Sequence, residues 1–398
     1  MLESVLTRFI AQKTMSQTTK NNGNSANFDA YSASYAHARQ RFIAAATQLD
    51  FELSAYPIAG SGPQGETLTI DVAIYQGATN ANLPSDSALL ISSGIHGVEG
   101  FFGSALQLSL LHHWQQHPDL LPHCRVILIH SLNPHGFAWR RRANEQNVDL
   151  NRNLLLDHQP FSGSPPLYAA LDSILNPKSA PISPDGFPAH FAPLMLKYDV
   201  TQLTDAITRG QYDYPYGLYY GGSEPSQLSL ILRKNLLHWL GDAQRIIHLD
   251  LHTGLGAWGN YKLLFDHPVS DALYARLQHD FGAAALEPRE MMVDSVWSGG
   301  LGQFCQMLAA GRDYVCAVAE FGTYKGLEVL AGMRAENQSY FWLLGTDPHA
   351  QQKIEYSKQR LVELFCPTSP RWRSQTLAQG LGIIAQALNS LKAQPLAP

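Results

Sequence analysis

Short apolar runs that alternate with helix-length segments are the feature that most restricts the fold of this chain. One run lies at 88–93 and the next at 125–130, and a helix-like segment at 101–115 separates them. A strand, a helix and a second strand at this spacing predict a βαβ unit, because parallel strands need a long crossover connection. The chain is therefore predicted to contain a parallel sheet.

The same alternation continues on both sides of this unit. Seven further segments are predicted from their periodicity, namely helices at 31–49, 226–240 and 326–344, and strands at 51–58, 67–75, 245–251 and 314–319. Strands that are apolar along their whole length are typical of sheets buried on both faces. The predicted fold class is α/β, with a mixed, largely parallel central sheet and helices on both faces.

The chain is predicted to form one domain. Its 398 residues would be enough for two, but the sequence contains no low-complexity linker and no internal repeat. We expect a flexible, polar tail at 1–25 and a single domain at 26–398. The segment 154–222 is rich in Pro, Gly and Tyr and only weakly periodic, which predicts a long loop insertion beside a binding face.

Charge and composition narrow the range of partners. The net charge of −5 and the lack of a long Lys/Arg stripe argue against nucleic acid. No apolar run approaches the roughly 18 residues that cross a bilayer, and the first 15 residues lack the apolar core of a signal peptide. The four cysteines are too widely spaced for a disulfide scaffold. We expect a soluble, cytoplasmic protein without a membrane partner, of unspecified oligomeric state.

Two residues with metal-ligand chemistry follow the first buried strand. His96 and Glu99 are three residues apart, which lets both side chains face one cation. They lie where parallel α/β sheets build their sites, after the carboxyl end of a strand. A loop histidine beside a solvated glutamate is the alternative, since such pairs also arise by chance among 16 His and 33 acidic residues.

The predicted strand at 245–251 leads into a second polar group. Alternate residues of a strand share a face, so His248, Asp250 and His252 project together, and His252 is placed at the strand exit as a third ligand. Two histidines, one carboxylate and an open position form the catalytic zinc arrangement. The alternative is a buried hydrogen-bond network, and Asp250 fits either interpretation.

Further basic and acidic residues are predicted to lie at the same edge of the sheet, where the parallel strands have their carboxyl ends. The run Arg140–Arg142 follows the strand at 125–130, and guanidinium groups there suit carboxylates and developing oxyanions. Glu320 follows the strand at 314–319 directly. A carboxylate at that position is costly if it is buried alone, but near a metal it can act as a general base.

Taken in order, these residues resemble the zinc carboxypeptidases, the carboxypeptidase A-like metallopeptidases. The resemblance covers about residues 88–325, and Asn-Val-Asp-Leu-Asn-Arg-Asn at 147–153 is especially similar to bacterial members. It implies a phosphorylase/hydrolase-like fold. It also implies roles for seven residues: His96, Glu99 and His252 as ligands of one zinc ion per chain, Glu320 as the base that activates water, Arg142 as the group that polarises the scissile carbonyl, and Asn151 and Arg152 as the substrate-carboxylate site.

The resemblance implies a zinc-dependent hydrolase that cleaves an amide bond in a small peptide or peptide-like substrate with a free carboxylate. The alternative is an N-acyl-amino-acid deacylase of the succinylglutamate desuccinylase or aspartoacylase type, which would share Arg152 but favour a small closed pocket. A non-catalytic zinc-containing binding protein is a third possibility, and it would not need Glu320. Four tyrosines are candidates for the family's active-site tyrosine: Tyr216, Tyr219, Tyr220 and Tyr324.

Overall fold

The computed structural model describes residues 29–77, 86–182, 186–288, 298–343 and 348–392. The tail predicted at 1–25 lies outside the described residues. The chain divides into two units, Met1–Ala30 and Tyr31–Pro398, and every element below belongs to the second unit.

A mixed sheet forms the centre of this unit, with the strand order β1-β2-β4-β3-β5-β7-β6. The strands are β1 Glu52–Ser61, β2 Thr67–Tyr75, β3 Ser87–Ser93, β4 Arg125–His130, β5 Arg245–Gly254, β6 Tyr261–Leu264 and β7 Asp313–Gly322. Strands β4, β3, β5 and β7 are parallel neighbours, whereas β1, β2 and β6 join antiparallel. The predicted fold class is confirmed.

Helices cover both faces of the sheet. In the described residues they are α1 Tyr35–Thr47, α2 Gly100–Gln116, α3 Pro134–Trp139, α4 Leu150–Asn153, α5 Pro166–Leu175, α6 Phe187–Lys197, α7 Val200–Thr208, α8 Gln227–Leu240, α9 Asp271–Phe281, α10 Leu301–Leu308, α11 Gly326–Trp342, α12 Ala350–Phe365 and α13 Pro370–Lys392. Helices α1, α2, α9 and α13 contribute to one buried cluster and α8 and α10 to another. None of the helices described is both long and apolar enough to cross a bilayer.

Local sequence explains where the best-predicted helix begins and ends. The hydroxyl of Ser226 accepts a hydrogen bond from the backbone N–H of Ser229 and so caps α8. Gly241 ends the helix with a φ of +57°, a conformation that costs glycine little. The apolar residues between these ends pack against the sheet, which is why periodicity alone located this helix.

The segment 154–222 contains helices α5, α6 and α7 where the sequence analysis predicts a loop. These helices pack mainly on each other, around a small cluster that includes Tyr168, Leu171 and Leu203. The three helices have only 9 to 11 residues each, and α6 contains a proline, Pro193, so none of them has the length that makes a helix easy to predict from sequence. Their stability therefore comes from tertiary packing rather than from local propensity.

Candidate metal centre

The first part of the site is the turn that follows β3. Gly94 adopts a φ of +63° and lets the chain turn, and Gly97–Glu99 form a single 3-10 turn before α2. Gly97 lies directly against the backbone of Gly136, so a larger residue could not occupy this position. In this turn Nδ1 of His96 lies 2.8 Å from Oε1 of Glu99, and both side chains are buried.

His252 completes the cluster from the neighbouring strand β5. Its Nδ1 atom lies 3.1 Å from Oε2 of Glu99. One ligand atom from each of His96, Glu99 and His252 lies within 4.8 Å of the other two, and all three residues are buried. The structure therefore brings together the three residues that the sequence analysis predicts as ligands.

Each imidazole lies between Glu99 and an aspartate. Nε2 of His252 is 2.6 Å from Oδ2 of Asp250. Nε2 of His96 is 3.3 Å from Oδ1 of Asp149, which is within ion-pair distance but not aligned as a hydrogen bond. The Nδ1 atoms of both rings therefore face Glu99. Two imidazole nitrogens and a carboxylate aimed at one point are the donor set that zinc prefers.

The electrostatics of the cluster fit a cation. Burial lowers the pKa of His252, but the negative charges of Asp250 and Glu99 raise it by a larger amount. The pKa of His252 therefore lies well above its usual range. Burial raises the pKa of Glu99, but His96 and His252 lower it below its usual range. The positive charge of the protonated His252 compensates part of the negative charge of the buried carboxylates, and a metal ion that binds there would displace the proton on Nδ1.

Arg142 is the member of the basic run that contacts this cluster. Its Nε and Nη2 atoms each lie 3.1 Å from Oδ2 of Asp149, and its Nη1 atom lies 3.5 Å from Oε1 of Glu99. The side chain is 16% exposed. Its guanidinium therefore lies beside the candidate ligands and remains partly accessible.

The other two arginines of the run have different partners. Arg140 forms two hydrogen bonds of 2.7 Å with the carboxylate of Glu355. Arg141 is buried, donates from Nε to Glu336 over 2.8 Å and stacks 3.4 Å above the ring of Tyr340. Arg142 is therefore the arginine of this run that contacts the candidate ligands.

Asn151 and Arg152 lie in α4, which Asp149 caps through its hydrogen bond to the Asn151 N–H. The side-chain oxygen of Asn151 accepts a hydrogen bond from the backbone N–H of Leu301. Arg152 is 6% exposed and donates from Nε to the carbonyl oxygen of Thr208 over 2.7 Å. The segment 154–222 therefore holds Arg152, the arginine that the resemblance assigns to substrate binding.

Tyr219 lies between the two arginines. Its ring centroid is 5.0 Å from the guanidinium carbon of Arg142 and 5.8 Å from that of Arg152, both within the range of cation–π attraction. Its φ of +57° is unusual for a bulky residue. Hydrogen bonds from the N–H of Gln211 to its carbonyl and from the N–H of Asp149 to the next carbonyl hold this backbone.

The other three candidate tyrosines have different surroundings. Tyr216 packs on Phe341 and Trp342, Tyr220 lies in a buried apolar cluster, and the Tyr324 hydroxyl donates to Glu363. Within the part of the chain that the structure describes, Tyr219 differs from the other three by its positive φ and its two guanidinium neighbours, and neither feature can be seen in the sequence.

Glu320 lies near the end of β7, directly beside His252 in the strand register. Its Oε1 atom accepts a hydrogen bond of 2.8 Å from the backbone N–H of Leu255. Burial, with a further contribution from Glu99, raises its pKa to about 7. Glu320, Leu255 and Lys262 are among the residues that line a cavity of about 310 Å³.

Several proteins resemble this chain in structure or sequence. One similar solved structure is carboxypeptidase A from Helicoverpa armigera, at 12% identity over 99% of this chain and 82% of that chain, with a TM-score of 0.47. Thrombin activatable fibrinolysis inhibitor matches at 15% identity over 90% of this chain and 80% of that chain, with a TM-score of 0.44. The metallo-carboxypeptidase from Burkholderia cenocepacia matches at 12% identity over 89% of this chain and 69% of that chain, with a TM-score of 0.43. No curated protein matches the sequence. Residues 31–379 match the family described as "Protein of unknown function (DUF2817)", and the chain belongs to this family.

Proposed function

We propose that the chain is a zinc-dependent hydrolase that cleaves an amide bond in a small peptide or peptide-like substrate with a free carboxylate. The observation that carries this proposal is the convergence of His96, Glu99 and His252 within 4.8 Å, with Glu320 beside His252 in the strand register. Three protein ligands leave an open position, which is typical of catalytic rather than structural zinc.

His96, Glu99 and His252 would hold one zinc ion. When bound, zinc supplies a Lewis acid that polarises a carbonyl and lowers the pKa of water. Neutral imidazoles and a single carboxylate leave a net charge of about +1 at such a site. Asp149 and Asp250, next to the Nε2 atoms of the two rings, favour the orientation in which both Nδ1 atoms face Glu99, where they would be available to the ion.

Glu320 is the proposed general base. Its carboxylate takes a proton from the attacking water and delivers it to the leaving amine. The backbone N–H of Leu255 fixes one oxygen, so the other oxygen remains for this transfer. Burial raises the pKa of Glu320 to about 7 in the metal-free chain, and the charge of a bound metal ion would lower it again, so the carboxylate would be ionised and able to accept a proton.

Arg142 and Arg152 are the proposed substrate contacts. Arg142 lies beside Glu99 and is partly accessible, so its guanidinium can stabilise negative charge that develops on the scissile carbonyl oxygen. Asn151 and Arg152 would bind the substrate carboxylate, for which the planar guanidinium fork is well suited. The ring of Tyr219 lies next to both arginines, which supports the proposal that Arg142 and Arg152 contact the same substrate.

An N-acyl-amino-acid deacylase is the second candidate. The burial of Arg152, which is 6% exposed and held by the backbone at Thr208, favours this candidate. A short acyl group needs only a small enclosed pocket, whereas a peptide needs room on both sides of the scissile bond.

A metal assay combined with a substrate panel tests these proposals. We expect about one zinc per chain, and hydrolysis of dipeptides that carry a free carboxylate. Faster hydrolysis of N-acyl amino acids than of dipeptides would favour the deacylase proposal over the peptidase proposal. If the zinc-loaded protein hydrolyses neither class of substrate, both proposed activities are contradicted. The remaining interpretation is then a zinc-containing binding protein without catalytic activity.

A further inference from the structure

A buried chain of hydrogen bonds runs from the candidate ligand His252 across three strands. Asp250 Oδ2 contacts His252 Nε2 at 2.6 Å, and Asp250 Oδ1 contacts Ser92 Oγ at 2.5 Å. The Ser92 hydroxyl lies 2.7 Å from His248 Nε2, and His248 Nδ1 lies 2.8 Å from the Tyr314 hydroxyl. All five residues are buried. These contacts form one continuous path rather than a set of separate pairs.

The strand register explains why these residues meet. His248, Asp250 and His252 alternate along β5 and so share one face of the sheet. Ser92 on β3 is the direct partner of Asp250, and Tyr314 comes from the other neighbour, β7. The flanking residues on this face, such as Leu90 and Ile246, are apolar and buried. The polar chain therefore lies in an otherwise dry layer, where each member depends on its neighbours for hydrogen bonds.

The donors and acceptors of this chain can be assigned from its chemistry. A carboxylate only accepts, so Ser92 donates its single proton to Asp250. The other contact of Ser92 must then be a hydrogen bond donated by Nε2 of His248. Burial lowers the pKa of His248 to about 4, so the ring is neutral and its Nδ1 accepts from Tyr314. Every donor in the path points toward Asp250.

The same reasoning applies to His252. In the neutral form that a metal ligand must take, its Nε2–H donates to Asp250, and the lone pair of Nδ1 is left on the side of Glu99. A neutral imidazole has one donor and one acceptor nitrogen, and the group that takes the donor decides which nitrogen can bind a metal. Asp250 thus selects the nitrogen and the ring orientation that the metal site requires.

We propose that Asp250 is a positioning residue for the metal ligand His252, and that Ser92, His248 and Tyr314 hold Asp250 in the required orientation. This inference rests on the proposed function, because it treats His252 as a ligand. The sequence left two interpretations of this strand open, a metal site and a buried hydrogen-bond network. Under this proposal both hold, because the network orients a ligand of the metal site.

Zinc affinity of Asp250→Asn, measured by competition with a chelator, tests the inference. We expect zinc to bind about 10- to 100-fold more weakly, as is typical when the partner of a ligating histidine is changed. Ser92→Ala should weaken zinc binding less, and Tyr314→Phe, at the far end, least. Asp266→Asn is the matched control, because Asp266 is equally buried but accepts from the backbone of α10 at Gly302 instead.

A second measurement does not need metal. In selectively ¹⁵N-labelled, metal-free protein, His248 should be neutral and protonated at Nε2, and Ser92→Ala should change that signal. Any other protonation state of His248 would overturn the assigned path.

The outcomes separate the two proposals. Wild-type protein that binds no zinc would refute the proposed function and, with it, the role of Asp250 toward metal. Wild-type protein that binds zinc while Asp250→Asn binds it equally well would overturn only the positioning role. An equal loss in Asp266→Asn would show a general effect on folding and would also overturn it. If Asp250→Asn does not fold, Ser92→Ala decides, and unchanged affinity in that variant contradicts the inference.

Discussion

Replacing Glu320 by Gln should stabilise the metal-free protein although it removes the proposed base. The carboxyl group is 7% exposed, and burial together with the nearby Glu99 raises its pKa from the ordinary 4.5 to about 7. Glutamine keeps the shape and can still accept the hydrogen bond from Leu255. The substitution therefore removes mainly the buried negative charge.

The size and the pH range of this effect follow from the pKa. Below about pH 4.5 the group is protonated in both folded and unfolded chains, so it does not alter the free energy of unfolding. Between about 4.5 and 7 the unfolded chain ionises first, and the folded state loses stability as the pH rises. Above pH 7 the loss is complete and amounts to at most about 3 kcal/mol.

Denaturant unfolding of metal-free wild type and Glu320→Gln at several pH values measures the difference. The two proteins should be similar near pH 4.5, and the variant should be more stable at pH 8. Glu224→Gln, at an exposed position, should show no such divergence. A variant that is less stable than wild type at pH 8 would refute the reasoning that burial of the ionised Glu320 carboxylate costs stability.

With zinc bound, the same substitution should act on the rate. The charge of the metal lowers the pKa of a nearby carboxyl group, so the stability difference should shrink. Hydrolysis should fall by about 10²- to 10⁴-fold, the range for loss of general acid–base catalysis, with zinc content unchanged. An unimpaired rate would exclude Glu320 as the base.

Two further substitutions test the ligands and the substrate site. His252→Ala should lose zinc while the chain remains folded, because it removes one of three ligands, and full metal occupancy measured by elemental analysis would exclude His252 from the site. Arg152→Lys keeps the charge but loses the bidentate fork, so binding should weaken by about 1.5 to 3 kcal/mol. Amidation of the substrate carboxylate should cost wild type a similar amount, and equal KM values for acid and amide would contradict this assignment.

The strands were the most predictable part of the fold. Strand β4 spans the predicted 125–130 and β2 the predicted 67–75, because continuous apolar runs between turns leave few alternatives. Strands β5 and β7 extend beyond their predicted ends, to Gly254 and Gly322. Their last residues include His252 and Glu320, whose polarity resembles that of a loop, although the strands continue to pair through them.

The ligand cluster was predictable for a topological reason. The parallel strands β3 and β5 are neighbours and end at the same edge, so residues that follow them must meet. Nothing comparable indicated Tyr219. Tyr219 lies in the segment 154–222, whose helices pack mainly on each other, and long-range packing of this kind cannot be derived from spacing.

The proposed contribution of the segment 154–222 to substrate binding can be tested at Gly210. A Cβ atom added there would lie 2.8 Å from Cδ of Arg152, and the flexible arginine is the group that would have to move. Gly163 lies in the same insertion with a similar positive φ, +91° against +103°, but nothing lies within 4 Å of an added Cβ. Alanine at either position should cost stability on the order of 1 to 3 kcal/mol through backbone strain.

Only Gly210→Ala should also displace the guanidinium of Arg152, so it should raise KM for a substrate with a free carboxylate about 10-fold or more, with zinc content unchanged. Gly163→Ala should leave KM at the wild-type value. KM values of both variants from steady-state kinetics separate the effect of backbone strain from the effect of displacing the Arg152 guanidinium. If the two variants change KM alike, the insertion does not position Arg152, and the carboxylate must be bound by another group.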